Sequence, residues 1–327
     1  MNLAKILFTP ALNTVKDAVR ISLDLFKIMV PVVIIVKILQ ELNLIGYLAA
    51  PLGPVMKMVG LPGEMGLVWA TALVNNIYSG LIVFLSLAQD QPLTAAQATI
   101  LGTMILVAHS MPVELRVVQS CGPKLGFQLL ARMGGALLMG LVLHLIYQNF
   151  HLLQGPANIL LTPDNSAIDK TILQWATGEI RNLISIFFII FCLLAVMRIL
   201  TKIKVIAAMD FILRPFLTMM GIGSKASALT VVGLTMGLSY GGGMIIHESK
   251  SGNINKKDVF YSLTLMSLCH SLIEDTLLLM MIGGHVSGLF WGRLIMSCLL
   301  VAGLVQFTKF IPEYLSDKYL WGLPKKS

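Results

Sequence analysis

Charge is what this 327-residue sequence has least of. Asp, Glu, Lys and Arg make up 12% of it, where a soluble globular domain carries about 25%. So few charges cannot cover a globule of this size with polar groups, which excludes a water-soluble domain. Cysteine is also scarce. Cys121, Cys192, Cys269 and Cys298 lie in or beside apolar runs, with no CxxC pair and no framework spacing, so disulfides are not expected. There is no low-complexity tract, and no glycine-rich run ends in the Gly-Lys-Ser/Thr of a phosphate loop. No nucleophile–base pair or closed metal motif is visible, so an enzyme is not expected and no cofactor is implied. The apolar patch at 6–8 is short and has no small-residue cleavage site after it, so a cleaved signal peptide is not expected. The net charge is +8, but no basic stretch is interleaved with aromatics, which argues against nucleic acid as a partner.

Apolar residues are abundant: 56% of the chain is hydrophobic and the mean hydropathy is +0.83. The runs sit in stretches approaching the roughly 20 residues that cross a bilayer. The partner this implies is lipid, and the fold class is all-α, a polytopic membrane protein of ten helical segments. The first five are 22–41, 45–59, 63–88, 95–120 and 125–150. The second five are 181–200, 206–220, 225–246, 258–281 and 289–310. A connector at 154–165, rich in Pro, Asn and Asp, separates them.

The two sets of five repeat. Arg20 matches Arg181 at an offset of 161, and the same offset pairs Lys37 with Arg198, Pro54 with Pro215 and Gly60 with Gly221. It also pairs Thr103 with Thr264, His109-Ser110 with His270-Ser271, Gly122 with Gly283, and Arg132 with Arg293. Tyr78 and Gly80 match Tyr240 and Gly242 one residue later. Arg, His, Tyr and Pro are scarce here, so their agreement at one spacing marks a duplication. The organisation is a first membrane repeat over 12–150, a connector over 151–172, a second repeat over 173–311, and a cytoplasmic tail over 312–327.

If all ten segments cross with the N-terminus inside, Lys57, Arg116, Lys124, Lys202, Lys204, Lys250, Lys256, Lys257 and the C-terminal lysines lie inside. Five crossings per copy make the second copy inverted, with both termini cytoplasmic. Segments 45–59 and 206–220 are short for a span. If both are re-entrant or interfacial, the copies become parallel. The location expected is the inner, cytoplasmic membrane of a bacterium. The oligomeric state, a homo-oligomer included, stays open.

Two places in each copy interrupt an apolar helix with polar groups. One is Asn75-Asn76-Ile77-Tyr78-Ser79-Gly80, matched by Ser239, Tyr240, Gly241 and Gly242 with Gly243. Glycines in a lipid-exposed helix weaken it, and unwound backbone there needs partners that a cavity and its solute can supply. Close helix packing through small residues is the competing explanation. The other is His109-Ser110-Met111-Pro112-Val113-Glu114, matched by Cys269-His270-Ser271-Leu272-Ile273-Glu274-Asp275. Pro112 must disturb the helix near Ala108, and ionisable groups inside a span are costly unless they meet each other or a cavity. His270 and Glu274, four apart, share a helix face and could pair. Glu114 is expected to pair with Arg116 or to sit near the interface. Snorkelling to headgroups accounts for Arg20, Arg132, Arg181 and Arg293, while Lys37 and Arg198 are deep enough to meet acids. His247-Glu248 and His285 are expected in solvated loops. The substrate-binding candidates are therefore Asn75, Asn76, Tyr78, Ser79, Gly80, His109, Ser239, Tyr240, Gly241, Gly242, His270, Ser271, Glu274 and Asp275. A metal is undetermined, with His109, Cys269, His270 and Glu274 as its candidates.

The run Pro51-Leu52-Gly53-Pro54, then Gly60-Leu61-Pro62-Gly63-Glu64, then 70–80 ending in Asn-Asn-Ile-Tyr-Ser-Gly resembles the nucleoside recognition, or Gate, family of bacterial membrane proteins. That family includes the spore maturation proteins A and B. Its module is related to parts of the ferrous iron transporter B membrane region and of concentrative nucleoside transporters. The resemblance covers each half separately, as two Gate modules fused, and the first half matches better. It implies a permease or gating role. The expected function is a membrane permease, a secondary transporter of a small polar solute or ion, with its site between the repeats. A divalent-metal permease is one alternative. A non-transporting membrane partner or regulatory subunit is the other.

Overall fold

A computed structural model describes residues 3–42, 44–88, 92–160, 172–237, 244–245, 247–248 and 254–322. They form helices throughout. The first copy comprises α1 (Leu3–Glu41), α2 (Ile45–Ala49), α3 (Gly53–Met58), α4 (Met65–Val74), α5 (Ile77–Leu87), α6 (Ala95–Val107), α7 (Met111–Ser120) and α8 (Leu125–Asn149). The second has α9 (Ile172–Lys202), α10 (Val205–Met219), α11 (Ser224–Met236), α12 (Lys256–Leu268), α13 (Glu274–Met280) and α14 (Arg293–Thr308), the last entered through a π-helical turn at Ser287–Gly292. A short α15 (Glu313–Tyr319) follows. Among the described residues, Leu125–Asn149, Leu173–Lys202 and Ser287–Thr308 are long and apolar enough to cross a membrane, and α6 with α7, bent by 41°, makes a fourth. The chain is a polytopic helical membrane protein.

The repeat is visible in the backbone. Gly60 and Gly221, Ser110 and Ser271, and Gly122 and Gly283 all have left-handed φ, each pair 161 residues apart. Gly60, at φ +73°, turns the chain where an added Cβ would meet the His144 ring at 2.1 Å, and at Gly221, φ +98°, it would meet Val305 at 3.1 Å. His144 and Val305 are themselves matched positions. The same tight turn therefore packs on the same helix in both copies.

One expectation needs correction. Segment 63–88 does not cross as one helix. It folds back as a hairpin of α4 and α5, only 10 and 11 residues long. The tip is Asn75-Asn76. The Asn76 side chain caps α5 by accepting from the Ser79 amide at 2.9 Å, and Asn75 Nδ2 donates to Ser79 Oγ at 2.8 Å. A short amide side chain that satisfies a new helix start favours a break over a continuous helix. The arms lie antiparallel, and a Cβ on Gly80 would come within 2.7 Å of the Ala72 Cβ. In lipid there is no hydrophobic gain between helices, and such close backbone approach supplies the packing instead. Segment 45–59 likewise is α2, a 3₁₀ turn at Ala50–Leu52 and α3.

The copies run in opposite directions. α8 lies antiparallel to α6, with Gly140 beside Met104 and Gly135 beside Val107. It runs alongside α12 in the same sense, with Gln128 donating to Thr264 at 2.8 Å and Gly135 beside Leu268. Matched helices α6 and α12 are therefore antiparallel. The two ends of the molecule agree with this. The start of α6 is tied to 153–157 through Ala96 N to Leu153 O and Ala95 N to Gly155 O, past the end of α8. The start of α12 lies at the other end, where Lys256 pairs with Asp317 and Lys124, preceding α8, donates to Leu320 O.

Candidate functional site

Both antiparallel helices break at the same place. α6 stops at Val107 and α7 restarts at Met111; α12 stops at Leu268 and α13 restarts at Glu274. Ser110 and Ser271 turn the chain with φ of +47° and +46°. Each break is anchored to its own copy, by Ser110 N donating to Ala72 O at 3.0 Å and Leu272 N to Leu234 O at 2.7 Å. Pro112 fits the first turn of α7, where its missing amide costs nothing, but the second copy has Ile273 there and breaks all the same.

A helix end leaves carbonyl oxygens without amides. His109 Nδ1 lies 2.9 Å from Ile105 O, and His270 Nδ1 lies 2.9 Å from Met266 O. A carbonyl oxygen only accepts, so Nδ1 carries the hydrogen in both rings. In a neutral ring Nε2 is then an acceptor, and the two Nε2 atoms face each other at 3.3 Å. Glu114 Oε1 closes the triangle, 3.2 Å from His109 Nε2 and 3.4 Å from His270 Nε2. Three lone-pair donors from both copies converge on one point.

Glu114 is held from behind. Arg132 Nη1 donates to Glu114 Oε2 at 2.5 Å, Nε to Val107 O at 3.0 Å and Nη2 to His109 O at 3.1 Å. One guanidinium thus pairs the carboxylate and satisfies two carbonyls of the broken helix. The matched Arg293 behaves differently. It is fully buried, yet among the described residues no oxygen or nitrogen acceptor pairs with its Nε, Nη1 or Nη2. The Cys269 thiol, a weak acceptor, and Asp275 are the groups that interact with it. Aspartate is one methylene shorter than Glu114 at its matched position.

The sequence candidates divide into three groups. His109, His270 and Asp275 come together, their ligand atoms all within 4.8 Å of one another. Tyr78, on the hairpin, lies within electrostatic reach of Glu274 and Asp275. Asn75, Asn76, Ser79 and Gly80 build the hairpin, and Ser271 turns the break. Ser239, Tyr240, Gly241 and Gly242 lie outside the described residues. Several expectations are overturned. Glu114 neither pairs with Arg116, which donates to Gln119 Oε1, nor sits at an interface: it is 8% exposed. Glu274 is not the partner of His270; that partner is Glu114 from the other copy. Neither Cys269 nor Glu274 joins the metal-competent group. Arg132 and Arg293 do not snorkel, since both are 0% exposed. Lys37 meets Glu41 and Arg198 meets Asp17, while His247 and His285 are exposed as expected. Arg132 was findable in the sequence as an arginine inside an apolar run, kept at the repeat offset.

No protein-family model matches the chain, and no solved structure matches it. The uncharacterized membrane protein YvoD of Bacillus subtilis (strain 168) is 26% identical over 286 residues, which is 86% of this chain and 90% of that protein. The likeness supports membrane residence and carries no substrate.

Proposed function

We propose that the chain is a permease, a secondary transporter whose site is the polar cluster between its two inverted halves. The observation that carries this reading is the His109–His270–Glu114 triangle, built by both copies where two antiparallel helices are broken. Inverted repeats with discontinuous helices meeting at a buried polar site are a recurring transporter plan, because rocking one copy against the other opens that site to alternate sides. The resemblance of each half to a Gate module supports the same reading. A structural role explains the buried cluster poorly. Three acceptors facing one another repel unless a cation joins them, and lipid-buried ionisable groups persist where they act. The α4–α5 hairpin lies beside the cluster, with Ala72 O accepting from Ser110 N and Tyr78 within electrostatic reach of Asp275.

The test is reconstitution. Purified protein is screened by thermal shift against divalent cations, nucleosides, amino acids and carboxylates, and whatever stabilises it is tested for flux in proteoliposomes. Flux that His270→Ala abolishes is the expected result. Stabilisation with no flux of any stabilising solute would assign the chain instead to a non-transporting membrane partner.

A further inference from the structure

We infer that His109 Nε2, His270 Nε2 and Glu114 Oε1 form a site for a divalent first-row transition-metal cation, which Asp275, its carboxylate within 4.8 Å of a ring nitrogen of each histidine, completes to four ligands when the ion draws it in. The edges of the acceptor triangle are 3.3, 3.2 and 3.4 Å. A tetrahedral ion with bonds of about 2.0 Å sets its ligand atoms about 3.3 Å apart, while octahedral bonds of that length bring neighbours to about 2.8 Å. The triangle has the tetrahedral spacing. Calcium, with longer bonds, also tolerates such edges, but it takes oxygen ligands, and two imidazoles select zinc or its neighbours.

The surroundings fit a metal better than a shared proton. Protons on the rings serve at most the two edges to Glu114 and leave the two Nε2 atoms without a common partner; a four-coordinate cation serves all three edges. Each ring donates its other N–H to a backbone carbonyl, and Arg132 fixes the far oxygen of Glu114. These are the outer contacts that orient metal ligands. Among the described residues, the ionisable groups around the rings are the carboxyls of Glu114, Asp275 and Glu274 and the guanidiniums of Arg132 and Arg293, with Tyr78 and Cys269 beside them. The exposed fractions of His109 and His270, 5% and 3%, keep bulk water off the rings. The site stands on its own geometry; that its ion is the one transported rests on the permease reading.

The experiment uses the full chain in detergent, loaded with zinc chloride or cobalt chloride and freed of excess metal. One zinc per chain by elemental analysis is expected, with the intense visible bands of four-coordinate cobalt. His109→Gln and His270→Gln lose both signals. Arg132→Lys, which touches no metal, weakens zinc binding by roughly 10–100-fold. Variants are compared only where gel filtration shows a folded, monodisperse protein. A folded wild-type chain that binds no zinc, or zinc binding indifferent to both histidine substitutions, overturns the site. Zinc bound as described but never moved across proteoliposomes overturns the permease reading and leaves the site standing.

Discussion

Arg132 and Arg293 occupy matched positions and are both fully buried, but their neighbourhoods are unlike. Arg132 pairs with Glu114 and two carbonyls, whereas among the described residues no oxygen or nitrogen acceptor pairs with Arg293. Removing one partner of a buried ion pair costs about 3–5 kcal/mol, because the other charge is left uncompensated. Arg132→Met should therefore lower stability by that order in a detergent unfolding measurement, and Arg293→Met should cost much less. Equal losses would contradict the asymmetry. Close to the breaks the second copy is also the more polar one. Ser267, Cys269 and Ser297 stand where the offset places Leu106, Ala108 and Ala136 in the first, and all three are buried. The sequence showed that His109 and His270 were equivalent. It could not show that they touch, because contact across 161 residues depends on how the copies dock, and a periodicity carries no information about docking. Glu114 and Arg132 were misread for the same reason: with only local neighbours in view, an acid beside Arg116 looks like a surface pair.

Tight turns, helix breaks and the hairpin belong to the next scale. Gly60→Ala places a side chain in left-handed backbone, costing about 1–2 kcal/mol, and drives its Cβ into His144. Gly60→Ala with His144→Ala should recover the steric part and retain the backbone part, read from thermal midpoints. Full recovery would show that the turn's handedness carries no cost. The breaks in α6–α7 and α12–α13 were legible as polar groups inside apolar runs, yet Pro112 was credited with more than it does, since Ile273 accompanies an identical break. The hairpin was not legible as a hairpin, because two apolar helices of 10 and 11 residues joined by two asparagines read in sequence as one long span with a flaw. At the molecule's outer edge, α15 docks on the start of α12 through Lys256, Asp317 and Glu313. The hydrogen bond to Asp317 holds the Lys256 amine above its ordinary range, and the same bond holds the Asp317 carboxyl below its own. The aspartate's contribution is present above its unfolded value and is lost as pH falls through its lowered folded value. The lysine's is present below its unfolded value and is lost as pH rises through its raised folded value. Hydrogen exchange of α15 should therefore stay slow across neutral pH and quicken only at the acidic and alkaline extremes. Quickening near neutrality would contradict the pairing.

For the whole molecule, the opposed directions of α6 and α12 make a topological claim. His151 and Tyr314 are both exposed and lie just past the ends of the matched helices α8 and α14. With Cys192 replaced by Ser, a thiol reagent that does not cross membranes should label His151→Cys from outside intact cells and should reach Tyr314→Cys only after lysis. Labelling of both from one side would make the copies parallel. The duplication was readable because scarce residues kept register; the inversion was inferred from five crossings per copy, a count that the folded-back segment 63–88 does not keep. What the repeat is for was not readable, since the point where its copies meet exists only in three dimensions. Anomalous X-ray scattering at the zinc edge, from zinc-soaked crystals of the full chain, tests that meeting point most directly. The account predicts one peak per chain, about 2 Å from His109 Nε2, His270 Nε2 and a Glu114 oxygen. Crystals that take up zinc only at surface histidines such as His247 and His285, with none between the two copies, would contradict it.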